Sequence, residues 1–100
     1  AVVLGTPENF GYMSGALKDF MDRTFYPSQG RVDGLPFAMF VSAGNDGSGA
    51  LRAIRRIASG YPLKEVQAPI IVRGPPSTAD VDQCEELGMA MAAGLELGVF

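Results

Sequence analysis

Two short stretches hold the residue types that could do chemistry. The first, Thr6-Pro7-Glu8-Asn9-Phe10-Gly11-Tyr12, mixes polar and aromatic side chains around a proline and a glycine. The second, Ser42-Ala43-Gly44-Asn45-Asp46-Gly47, is a tight, glycine-rich loop. Each follows an apolar run and precedes a helical pattern. In open α/β sheets, ligands bind where such loops leave the carboxyl ends of parallel strands, so function is to be sought in these loops. The second loop does not have P-loop spacing, because no Lys follows its last Gly. Other chemistry is excluded by what is absent. The chain has no His, the commonest metal ligand and general base. Its single cysteine, Cys84, can form neither an intrachain disulfide nor a cysteine metal cluster.

The elements that must position these loops follow from hydrophobic periodicity. Ala1 to Leu4 reads as the end of a buried strand. Ser14 then opens a helix that places Leu17, Phe20, Met21 and Phe25 on one side and ends near Phe25, before Tyr26-Pro27-Ser28-Gln29-Gly30. Leu35 to Val41 is near-continuously apolar, as suits a strand buried on both faces of a parallel sheet. A helix from about Ala50 to Ser59 offers Ala50, Ile54 and Ile57 for burial. Val66 to Val72 gives a third strand, with Pro69 at an edge or near its start. Ser77 or Thr78 caps a last helix whose early acids, Asp80 and Asp82, suit the positive end of its dipole. Val81, Cys84, Leu87, Gly88, Met91 and Leu95 fall along one face of that helix. The order βαβαβα defines an α/β class with a parallel sheet.

The string G-T-P-E-N-F-G-Y-M-S-G-A-L-K-D-F-M-D-R, from Gly5 to Arg23, resembles the segment after the third strand of flavodoxin-like flavoproteins. It is most similar to the NAD(P)H-dependent FMN reductase and quinone reductase branch. The resemblance implies a three-layer αβα fold of which this chain holds the last three βα units, as a partial domain over residues 1–100. It also implies FMN as cofactor and NAD(P)H as co-substrate. Thr6, Pro7, Glu8, Asn9, Phe10 and Gly11 match a flavin loop whose N–H groups and short side chains bond the pyrimidine edge and ribityl chain. Phe10, with Tyr12 as runner-up, is the aromatic that would pack on the ring. Ser42, Ala43, Gly44, Asn45, Asp46 and Gly47 match the loop along the other edge of the ring. The plain alternatives stay open for both. The first could be an ordinary turn in which Asn9 and Gly11 supply backbone conformation and Phe10 covers core. The second could be a bare glycine turn capping a helix. Two further units, each on the order of 30 residues, have no counterpart here, and they include the loop that holds the FMN phosphate. The expectation is therefore a fragment, or a sheet completed by another chain, with an apolar edge exposed on the first strand.

Composition sets the remaining bounds. One hundred residues with 47% hydrophobic and 19% charged side chains suit one globular domain. A formal charge of -3 argues against a polyanion, so no nucleic-acid partner is expected. The Arg52, Arg55 and Arg56 cluster reads as a solvated helix face. No apolar run reaches the roughly 18 residues of a membrane span, and no basic signal-peptide start is present, so the expectation is a cytoplasmic protein without a membrane partner. Three functions follow. One is an oxidoreductase passing a hydride from NAD(P)H to a quinone, flavin or other small-molecule electron acceptor. Another is an electron carrier without turnover, and the last is an inactive piece held by self-association. A homo-oligomer is expected, with the glycines of the last helix allowing close packing.

Overall fold

The fold is organised around the second apolar run, because it is the strand with neighbours on both edges. The computed structural model describes residues 1–100. It contains β1 (Val2–Pro7), α1 (Gly15–Ser28), β2 (Pro36–Ala43), α2 (Ser48–Gly60), β3 (Lys64–Glu65), β4 (Ile70–Arg73) and α3 (Thr78–Leu97). β1 pairs with β2 in parallel from Val2↔Phe37 to Pro7↔Ser42. The other edge of β2 takes β3 at Pro36↔Lys64 and β4 from Phe40↔Ile70 to Ala43↔Arg73, also in parallel. β1 pairs with β2 alone, so its outer edge carries no strand.

Side-chain alternation along β2 builds the three layers. Phe37 and Met39 point into a cluster with Leu4, Met21, Ile54 and Ala58, which binds α1 and α2 to one face. Val41 and Ala43 continue that face against Ala50. Ala38 points the other way, against Leu87 and Met91 of α3. This is a flavodoxin-like α/β fold, with an open parallel sheet between helices.

Several boundaries differ from the sequence reading, each for a local reason. β1 runs on to Pro7 because its parallel ladder with β2 continues through Thr6↔Val41 and Pro7↔Ser42, with the Phe40 ring lying over Gly5, where a Cβ would come within 2.2 Å of it. α1 continues through Pro27 to Ser28, and the Gln29 N–H closes its last turn on the Tyr26 carbonyl at 3.3 Å. The expected strand Val66 to Val72 is broken. Four residues, Val66 to Pro69, stand opposite the two residues Ala38 and Met39, so the ladder bulges where Pro69 has no N–H to give. On α3 the buried line is Leu87, Met91 and Gly94, while Val81 and Leu95 are exposed. Ser77 and Asp80 form a capping box at its start. The Lys18–Asp22 and Asp19–Arg23 ion pairs form on the surface of α1, and Arg55 meets Glu65 in a two-pronged pair. No helix is long and apolar enough to cross a membrane.

Candidate functional site

Because Pro7 and Ser42 are register partners, the loops that follow β1 and β2 leave the sheet side by side at its carboxyl end. The first loop is a two-residue hairpin. Asn9 and Tyr12 exchange backbone hydrogen bonds of 2.9 and 3.0 Å. Phe10 (φ 51°) and Gly11 (φ 70°) between them both take left-handed backbone. Two central residues with positive φ make a type I′ turn, where Asn or Asp normally precedes Gly. A phenylalanine there is strained by about 1–2 kcal/mol, yet its ring is fully exposed and covers no core. The strain is therefore not repaid by packing.

Thr6 is buried and serves the base of the loop. Its Oγ1 accepts from the Ser14 N–H and donates to the Pro7 carbonyl, both at 2.8 Å. Ser14 in turn caps α1 through the Leu17 N–H at 3.1 Å. Glu8 reaches across to the second loop, its two oxygens accepting from the N–H groups of Gly47 at 3.0 Å and Ala50 at 3.1 Å. Ala43 is buried, and its carbonyl takes the Gly74 N–H at 2.8 Å, which ties in the loop after β4. Gly47 sits at φ 80°, and a Cβ there would meet Ile71 at 2.5 Å. Ser42, Gly44, Asn45 and Asp46 are exposed. The N–H groups of Gly44, Asn45 and Asp46 donate to no acceptor within the chain, nor do those of Phe10 and Gly11. No cavity is lined by both loops, so they form an open shelf.

The geometry adds residues that the sequence reading missed. Gly49 passes so close to the first loop that a Cβ would stand 2.1 Å from the Gly11 carbonyl oxygen. Nothing local marks Gly49 for this, because the demand comes from a loop far away in sequence. Ser48 donates its hydroxyl to the Asp46 carboxylate. That bond, with the fields of Arg73 and Arg52, holds the Asp46 carboxyl below its ordinary value of 3.8. A depressed carboxyl contributes its stability fully above the unfolded value and loses it as pH falls through the folded one, so the contribution is present above about pH 4 and disappears at lower pH. Ser48→Ala should raise the Asp46 pKa toward its ordinary value in an NMR pH titration. An unmoved titration would remove the hydroxyl as the cause.

An open parallel sheet with two glycine-bearing loops joined at its carboxyl end defines a protein of the flavodoxin-like class. The profile of the NADPH-dependent FMN reductase family matches residues 1–73, and the chain belongs to that family. Among solved structures it is similar to a flavodoxin from the domain Archaea, with a TM-score of 0.76 at 23% identity. That likeness covers 94% of this chain and 64% of the archaeal one, so this chain spans less than two thirds of the length of its structural relative. None of the curated proteins matches it.

Proposed function

We propose that this chain supplies the ring-binding loops of an FMN-dependent oxidoreductase that uses NAD(P)H to reduce a quinone, a flavin or another small acceptor. The observation that carries the reading is the fully exposed, strained Phe10 of one loop together with three successive unengaged N–H groups at Gly44, Asn45 and Asp46 of the adjoining loop. That donor set suits the pyrimidine edge of a flavin, whose reduced form gains negative charge, and an exposed aromatic suits the ring face. A bound flavin would supply hydride acceptance from the nicotinamide and electron delivery to the acceptor. The chain's own part is to orient the ring, donate hydrogen bonds at its edge and keep water from one face. No side chain need act as acid or base in that role, so the absence of His is no obstacle.

The starts of α2 and α3 are closed to the flavin phosphate. The N-terminus of α2 is filled by the Glu8 carboxylate and that of α3 by Asp80, where an anion would otherwise be favoured. Ring recognition and phosphate recognition are thus separate tasks, and these loops serve the first. Self-association is part of the proposal, supported by the strandless edge of β1 and by the exposed Val81, Met89, Leu95 and Leu97 of α3.

A second reading, an electron carrier without turnover, is supported by the likeness to an archaeal flavodoxin. Nicotinamide oxidation separates the two. The complete FMN-loaded protein should oxidise NADPH or NADH repeatedly when a quinone or free flavin is supplied. A protein that holds FMN but shows no turnover with either nucleotide would be the carrier.

A further inference from the structure

Glu8 belongs to the first loop by sequence but spends its carboxylate on the second. α2 starts at Ser48 with Gly47 as its N-cap, and a glycine has no side chain to satisfy the first N–H groups of the helix. The cap comes instead from 39 positions away, where Glu8 Oε1 accepts from Gly47 at 3.0 Å. Its Oε2 takes the Ala50 N–H at 3.1 Å. The Glu8 backbone N–H adds a bond of 2.9 Å to the Ser42 carbonyl. Close by, the Gly11 carbonyl rests on Gly49 with no room for a Cβ. These contacts bracket the exposed groups of both loops, since Glu8 and Gly11 flank Phe10 while Ser42 and Gly47 flank Gly44 to Asp46.

We propose that Glu8 is a positioning residue, whose carboxylate locks the Phe10 hairpin and the Gly44–Asp46 donors in one register so that they meet the same flavin ring. It works through the two N–H groups it holds and contacts no reacting atom. The inference rests on the flavin reading above, but the lock itself can be observed without flavin. A carboxylate suits this task because two oxygens engage two N–H groups at once at the positive end of a helix.

The test compares three variants of the complete protein: Glu8→Ala, Glu8→Gln and Tyr61→Phe. Tyr61 is the control. Its hydroxyl bonds Thr24 at 2.9 Å and the Met21 carbonyl, both in α1, and Tyr61 itself caps the end of α2 opposite Gly47, so the variant loses stability away from the loops. Amide exchange at Gly47 and Ala50 and the FMN dissociation constant are both measured. Glu8→Ala should speed exchange at both amides and weaken FMN binding by about tenfold, the change in an equilibrium constant that follows loss of a charge-assisted hydrogen bond. Glu8→Gln keeps one acceptor oxygen and the side-chain volume, so it should recover part of that affinity. Tyr61→Phe should lower the melting temperature with FMN affinity unchanged. Unaltered exchange at Gly47 and Ala50 in Glu8→Ala would overturn the lock, as would FMN binding that falls equally in Tyr61→Phe. If the unsubstituted protein failed to bind FMN, the flavin reading would fall, and the exchange result alone would decide whether Glu8 joins the loops.

Discussion

Replacing Gly49 by alanine should destabilise the protein by about 2 kcal/mol or more, although the same change in a helix normally helps. Gly49 lies in the first turn of α2, where alanine would ordinarily gain about 1 kcal/mol over glycine. Here the new methyl would stand 2.1 Å from the oxygen, 2.8 Å from the carbonyl carbon and 3.1 Å from the Cα of Gly11. These are backbone atoms that cannot rotate aside, so the hairpin and α2 must separate. Gly88 provides the matched control, because it sits mid-helix in α3 with nothing within 4 Å of a Cβ. Gly88→Ala should therefore stabilise by about 1 kcal/mol. Denaturant unfolding of both variants reads the opposite signs. Two changes of the same sign would mean that the loops do not touch as described.

Phe10→Gly should separate stability from ligand binding. Glycine relieves the left-handed strain, worth about 1–2 kcal/mol, and gives back roughly 0.5–1 kcal/mol through its greater freedom in the unfolded chain. The ring is fully exposed, so its removal uncovers no core. The net expectation is a slightly more stable protein. Flavin binding should move the other way, weakening by about tenfold, since aromatic stacking on a base contributes on the order of 1–3 kcal/mol. Thermal melts and FMN titrations of one preparation give both numbers. Loss of stability would show that Phe10 packs somewhere, and unchanged FMN affinity would remove it from the ring face.

Most of the fold was legible because its determinants are local. Leu35 to Val41 announces a strand buried on both faces, and Phe37, Ala38, Met39 and Val41 are all buried. Ala50 and Ile54 are buried at the helical spacing the sequence shows. What was not legible depends on distant partners. The break before Ile70 arises because Val66 to Pro69 bulge out opposite Ala38 and Met39 of β2, a mismatch in register that local pattern does not reveal. Val81 and Leu95 share a helical stripe with Leu87 and Met91, but the face of the sheet beneath α3 covers only the latter pair.

The candidate site divides in the same way. That two glycine-bearing loops each follow a strand could be read from the sequence, and the pairing of β1 with β2 sets them side by side. The internal duties of Glu8 and Thr6 could not, because each bonds residues that only the fold brings near. Even the hairpin is unobvious. Asn9 looks like the residue for a left-handed position, yet it flanks the turn and Phe10 takes that conformation instead.

The most direct test of the central claim is an FMN titration of the complete native protein, followed by quenching of flavin fluorescence. Saturable binding of one FMN per chain, weakened about tenfold in Phe10→Gly and in Glu8→Ala, is the predicted result. No quenching at any FMN concentration by a folded native protein would contradict the claim that these loops grip a flavin ring.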